Sequence, residues 1–313
     1  MSAALETAVP LDDLLQGEVH SVDTRWGPLT VTVSGARGGT PCLTFHDVGL
    51  SHRSCFQGLL LALGPKSLLL RNYTLYHVDA PGCQAAGAEV PPTFLPLSLG
   101  RLADALADVA SHFKLKEVLG LSAGVGAQVL AQLAAEQPEL FCGLILVSPS
   151  CRRPGWWEWG WGSLAARQLY HSGWVPSAKQ YFIQRLFGQL TQQALAGESD
   201  LVQAYRRESE QLAPAATAHY LWAALARPDI TGMLPTLRCR VLLVYGDEAL
   251  HRGDCLELAC RARKDRLAVL EVAQAGGLAS EEKPQEVVGV VESFLTGLQL
   301  EGYGLGSQLR VGE

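Results

Sequence analysis

A recurring unit constrains this 313-residue chain more than any other feature: a short, unbroken apolar run released into small or polar residues, followed by helical periodicity. Cys42-Leu43-Thr44-Phe45 opens into His46-Asp47-Val48-Gly49, Leu75-Tyr76-His77-Val78 into Asp79-Ala80-Pro81-Gly82, and Val118-Leu119-Gly120-Leu121 into Ser122. Runs this short and apolar fit strands covered on both faces, the signature of a parallel sheet. Parallel neighbours need a crossover, and Leu99, Leu102, Leu106, Val109 and Phe113 form a helical stripe between the second and third runs. Val125, Val129 and Leu133 repeat the stripe up to Pro138, ahead of another apolar run at Leu144-Ile145-Leu146-Val147. Upstream, Leu29, Val31 and Val33 alternate with Thr30 and Thr32, which predicts a half-buried, antiparallel first strand.

The pattern breaks between about 151 and 236, where helical stretches follow one another and five of the seven tryptophans fall between 156 and 174. That segment reads as a helical cap inserted into the α/β unit. Strand character resumes at Val241-Leu242-Leu243-Val244-Tyr245 and again at Leu267 to Val272, before a last helix with Ser280 as its expected cap and Pro284 in its first turn. The predicted fold class is α/β, with a mostly parallel central sheet, helices on both faces and a cap. Residues 1–17 are expected to be a flexible lead, 18–301 the folded domain with its cap, and 302–313 a flexible tail.

Charge and cysteine usage exclude several functions. Lys and Arg total 25 against 31 Asp and Glu, a net charge of −6 and the wrong sign for a nucleic-acid surface. The cluster Arg261, Arg263, Lys264 and Arg266 contains Asp265 and reads as a solvated helix end. Eight cysteines form no CxxC pair and no zinc spacing, so they read as reduced thiols and no metal or other cofactor is expected. Residues 1–20 lack a basic n-region and an apolar h-region, which gives a cytoplasmic expectation.

Gly120-Leu121-Ser122-Ala123-Gly124 matches the G-x-S-x-G nucleophile elbow and lies between a buried strand and a helix, the place an α/β-hydrolase fold puts it. His46, Asp47 and Gly49, at the exit of an earlier strand, stand where that fold keeps its other oxyanion donor. A nucleophilic serine needs an imidazole base and an orienting carboxylate, in the chain order Ser, Asp or Glu, His. No histidine follows His251; Gly277 occupies the expected base position and Ala249 the expected acid position. Ser122 therefore reads as a vestige of an elbow. The alternative, a weak esterase-like hydrolase, needs a relocated base from among His46, His77 and His251. These three read instead as an oxyanion-loop packing residue, a sheet residue and an exposed loop histidine. Asp79 reads as a brace for the turn before Pro81-Gly82.

The chain also resembles the N-myc downstream-regulated (NDRG) family. The resemblance is carried by His20-Ser21-Val22 with Trp26-Gly27, Leu43 to Leu50, Cys55-Phe56, His77 to Gly82, Gly124 to Ala127, Gly155-Trp156 with Trp159, Val244 to Asp247, and Gly276-Gly277 with Pro284. It covers about residues 18 to 304. It departs at Ser122, where family members commonly have glycine, and in lacking a long Ser/Thr/Arg-rich tail. The resemblance implies an α/β-hydrolase fold without a triad, acting as an interaction module in cytoplasmic signalling, stress response or differentiation. Protein partners are expected, with Trp156, Trp157, Trp159 and Trp161 as the candidate contact surface. Peripheral membrane contact and a small-ligand carrier role are the other readings that the cap allows.

Overall fold

The computed structural model describes residues 17–84, 89–193 and 199–302. The expected lead and tail fall outside them, apart from residues 17 and 302. Eight strands form one sheet: β1 (Glu18–Thr24), β2 (Gly27–Gly35), β3 (Thr40–Phe45), β4 (Tyr73–Val78), β5 (Val118–Ala123), β6 (Phe141–Val147), β7 (Arg240–Gly246) and β8 (Leu267–Val272). Their spatial order is β1-β2-β4-β3-β5-β6-β7-β8. The β1–β2 and β2–β4 pairs are antiparallel and the other five are parallel. β1 is an element that strand periodicity did not reveal. Only three of its seven residues escape full exposure, so it shows little apolar signal. Tertiary contacts hold its hairpin instead: the Arg25 guanidinium grips Asp108 at 2.6 and 3.0 Å, and Trp26 Nε1 donates to Asp104.

The helices are α1 (His52–Leu63), α2 (Leu68–Asn72), α3 (Leu99–His112), α4 (Gly124–Glu136), α5 (Trp156–Ser172), α6 (Pro176–Leu186), α7 (Gln189–Gln193), α8 (Asp200–Ser209), α9 (Pro214–Leu225), α10 (Arg252–Arg261), α11 (Ala279–Glu282) and α12 (Pro284–Gly302). Local chemistry sets several starts. Ser51 caps α1 in a reciprocal box with Ser54, and Ser98 accepts from Arg101 N at the head of α3. Ser280 does not cap the last helix. It lies inside α11, buried, and its hydroxyl has no partner, while α12 begins at Pro284. Helices α1, α2, α11 and α12 pack among themselves, as do α3 and α4, so that both faces of the sheet are covered. Helices α5 to α9 form the cap region, with α5 lying along α9.

Asp79 has a different task from the one expected. Its carboxylate accepts from His52 N at 2.8 Å and from the His52 ring at 2.7 Å, which ties α1 to the end of β4. Burial pushes this carboxyl up, yet His52 and His46 outweigh it and hold it below the ordinary carboxylate range. His77 is a buried sheet residue stacked on His52, and burial, with His52 beside it, pushes it down to about 3.

Glu281 sets a pH dependence. It is buried against α1 and accepts from the amides of Gly58 and Leu59, and burial raises its carboxyl from 4.5 to about 8. The folded state then holds a proton that the unfolded chain releases at lower pH. The stability this proton brings is complete below about pH 4.5 and is lost as pH rises towards 8. His46, His77 and His251, held neutral in the fold, add stability as pH rises through about 6.5. The Glu281 contribution is therefore read as the difference in urea stability between the native protein and Glu281→Gln. That difference is expected to change between pH 5 and 8 in the sense of a native advantage lost as pH rises, and a difference independent of pH would refute the assignment.

Candidate functional site

The turn from β5 into α4 is centred on Gly124, whose φ is +55°, a left-handed backbone that glycine adopts without strain. Ser122 lies two residues earlier, still in β5, paired in register with Phe45. It is fully buried, and its hydroxyl donates to the Phe45 carbonyl. The expectation that Ser122 stands at the elbow is corrected by two positions. The reason is visible in the chain: Ser122-Ala123-Gly124-Val125-Gly126 has the same alternation of small residues as 120–124, so the motif allows two registers.

The space above Gly124 is occupied by Asp47. Its Oδ1 accepts from Val48 N and from Val125 N, each at 2.8 Å. These are the amide after the turn residue and an amide of the loop after β3, the two positions from which this fold builds an oxyanion hole. A Cβ on Gly124 would lie 2.1 Å from the Asp47 carboxylate. The carboxylate also supplies what α4 lacks, since its N-terminus has no side-chain cap of its own, and a negative charge there is favoured by the helix dipole. His46 holds the loop from the other side. Its Nδ1 bonds the Asp47 carbonyl at 2.8 Å, its Nε2 accepts from Ala80 N at 2.9 Å, and its own carbonyl accepts from Tyr220 of α9 at 3.0 Å. Burial lowers its ring below the ordinary histidine range, in keeping with a neutral packing residue. Gly49, also in a left-handed conformation, lies against the Phe182 ring of α6.

Arg185, at the end of α6, reaches down from the cap to Asp47, with Nη2 at 3.4 Å from Oδ1. Its Nη1 donates to His251 Nε2 at 3.0 Å and lies 3.7 Å from Glu158. Glu158 in turn takes both ends of the Arg227 guanidinium at 2.7 and 2.8 Å. Burial disfavours the Arg185 charge, but Asp47, Tyr181 and Glu158 outweigh it and keep the guanidinium protonated. His251 is thus not an exposed loop residue. It is buried, and burial together with Arg185, Arg227 and Arg152 pushes its ring well below the ordinary range, so it accepts the Arg185 bond as a neutral imidazole. No sequence spacing links Asp47 with a partner 138 residues away, and in the sequence Arg185, Glu158 and Arg227 look like ordinary surface charges.

Gly277 lies in the loop after β8, under the cap segment that follows Arg185. A Cβ on it would come within 2.8 Å of the Arg185 carbonyl, and one on Gly276 within 2.4 Å of Gly188 N. The cap backbone at 185–188 therefore fills the room an imidazole would need. Glu282 clamps the two segments together, accepting from Gly276 N at 2.7 Å, Gly188 N at 2.9 Å and Thr191 Oγ1 at 2.6 Å. Ala249 is buried in the turn after β7, with its amide bonded to the Gly246 carbonyl. Nearby, Asp254 collects Cys151 N, Arg152 N and Arg152 Nε and so fixes the chain where it enters the cap.

Among the described residues, no group of three or more His, Cys, Asp or Glu side chains could hold a metal ion, and no helix is long and apolar enough to cross a membrane. A cavity of about 590 Å³ lies between α5 and α6, with Trp157, Trp161, Tyr181, Arg185 and Leu250 in its lining. The candidate surface residues Trp156, Trp157, Trp159 and Trp161 all project from α5 into solvent, whereas Trp174 is half-buried with its Nε1 donating to the Leu212 carbonyl.

Comparison with known proteins agrees with this architecture. The Ndr family pattern matches residues 19–302. Protein NDL1 of Arabidopsis thaliana is 34% identical over 292 residues, 93% of this chain and 83% of NDL1. Protein NDRG2 of Homo sapiens is 32% identical over 302 residues, covering 95% of this chain and 78% of NDRG2. Among solved structures, a thermophilic esterase from Thermogutta terrifontis superposes with a TM-score of 0.75 at 18% identity, over 90% of this chain and 99% of the esterase. The enol-lactonase from Burkholderia xenovorans LB400 gives 0.73 at 16% identity, over 88% and 100%. At such identities these two likenesses speak for the α/β-hydrolase fold alone.

Proposed function

The chain belongs to the Ndr family, and from that premise we propose that it is a non-catalytic α/β-hydrolase-fold protein, a pseudoenzyme that works by binding protein partners in cytoplasmic signalling, stress response or differentiation. One observation carries the negative half: the Asp47 carboxylate lies across the amides of Val48 and Val125. Hydrolysis of an ester or amide needs those donors for the charge that develops on the carbonyl oxygen. An internal carboxylate held there by Arg185 excludes a substrate carbonyl and repels a second anion. The turn residue itself, Gly124, brings no nucleophile, and the Ser122 hydroxyl is spent on a main-chain carbonyl inside the sheet.

Incubation with a fluorophosphonate probe and with short-chain aryl esters is expected to give neither labelling nor turnover that Ser122→Ala abolishes. Stoichiometric labelling of the native protein, lost in that variant, would overturn the reading and restore the serine hydrolase alternative. The positive half rests on family membership, which supports an interaction role without naming a partner.

A further inference from the structure

The first two turns of α5 carry a feature that the closed centre does not use. Trp156, Trp157, Trp159 and Trp161 are 88%, 83%, 51% and 62% exposed. A tryptophan ring at a protein surface normally rests on its neighbours, and four on one helix tip leave several hundred Å² of aromatic area in water, roughly the largest patch a soluble monomer tolerates. Trp157 and Trp161 border the cavity between α5 and α6, and Trp156 and Trp159 border a groove beside Leu225, Arg227 and Pro228, yet the outer side of the tip is open. A Cβ placed on Gly155 or Gly160 would meet nothing within 4 Å, and exposure is greatest at the first two rings.

Basic residues border this tip, with one exposed acid, Asp229, beside them. Its acid, Glu158, is turned inward and neutralised by the Arg227 fork, with Arg185 beyond it. Arg153 immediately precedes the tip and Arg167 follows, both exposed. Asp229, which lies near Arg153, has its carboxylate held by Thr231. A chain of net charge −6 thus presents a tryptophan-rich helix start with its own acid turned inward, Arg153 ahead of it beside the exposed carboxylate of Asp229, and Arg167 in the fourth turn of the same helix. Tryptophan, as opposed to Leu or Ile, is the residue that partitions to the level of lipid headgroups, and adjacent arginine adds attraction to anionic lipid.

We propose that the N-terminal tip of α5 docks this protein on an anionic bilayer surface, with the four indoles seated among the headgroups and Arg153 and Arg167 facing lipid phosphates. This goes beyond the non-catalytic reading and does not depend on it, since the probe-labelling result is indifferent to lipid. The contact is interfacial, because none of the described helices can span.

The test uses the full chain and phosphatidylcholine vesicles with or without about one third phosphatidylserine. The protein is expected to float with the anionic vesicles and its tryptophan emission to shift to the blue. Trp156→Ser with Trp157→Ser, both at exposed sites where the fold is indifferent, is expected to weaken partition by about tenfold or more. Arg153→Glu is expected to weaken binding to the anionic vesicles selectively. Failure to float, or binding undiminished in the double tryptophan variant, would overturn the proposal. So would concentration-dependent self-association that the same double variant abolishes, because the tip would then be the seat of a second copy of the chain.

Discussion

Gly124→Ala is expected to destabilise the protein by about 2–5 kcal/mol in urea denaturation. The left-handed backbone costs a Cβ-bearing residue about 1–2 kcal/mol, and forcing a methyl into a packed site costs about 1–3 more. That site is not merely full. The atoms a Cβ would strike belong to the carboxylate that bonds the two amides and receives Arg185, so one methyl group displaces the hub of the closed centre. Gly289→Ala in α12 serves as the contrast, because an added Cβ there meets nothing and the helix is expected to gain about 0.5–1 kcal/mol. A loss below about 0.5 kcal/mol for Gly124→Ala would mean that the Asp47 carboxylate can leave its seat freely, and the plugged-site account would fall with it.

Removing the cap's charge from the centre should be nearly as severe. Arg185→Met keeps the apolar stem but leaves Asp47, a buried carboxylate, without its guanidinium, and breaking a buried pair from one side costs about 3–5 kcal/mol. The two amide bonds to Asp47 survive, which places the expected loss at the lower end of that range. Asp47→Asn keeps an acceptor for those amides and leaves Arg185 with the more distant Glu158 as its carboxylate. The informative measurement is the cycle: Asp47→Asn with Arg185→Met is expected to lose less than the sum of the single variants, by a coupling of about 1–3 kcal/mol. Strict additivity would show that the 3.4 Å approach of these groups carries no interaction, and that the cap is held by its other bonds, those of Glu282 and Tyr220 among them, and by its apolar contacts.

Much of the framework was legible because it depends on periodicity. The apolar runs at 42–45, 75–78, 118–121, 144–147, 241–245 and 267–272 each became a strand, and the stripes from Leu99 and Val125 became α3 and α4. The hairpin strand β1 was not legible, since a largely exposed edge carries no alternation to detect. The elbow was legible to within two residues: small residues at 120, 122, 124 and 126 mark a sharp strand-to-helix turn, but the hydroxyl at 122 drew the motif to the wrong register. Ser280 misleads for a similar reason, because a serine ahead of a proline looks like a cap whether or not the helix starts there. Neighbours in the chain say little about His251 and Asp79, whose partners, Arg185 and His52, stand 66 and 27 residues away.

By itself, then, the sequence determined the α/β-hydrolase architecture, the family, and the lack of a histidine after residue 251. These follow from the order of residues along the chain, where hydrophobic period and motif spacing are written directly. Only the tertiary structure decided that the turn sits at Gly124, that Asp47 fills the space above it, and that Arg185 descends from the cap to hold that carboxylate in place. Those facts are pairings between segments far apart in the chain, set by the closing of α6 over the ends of the strands. A buried charge reveals its partner only once both have been taken out of water together.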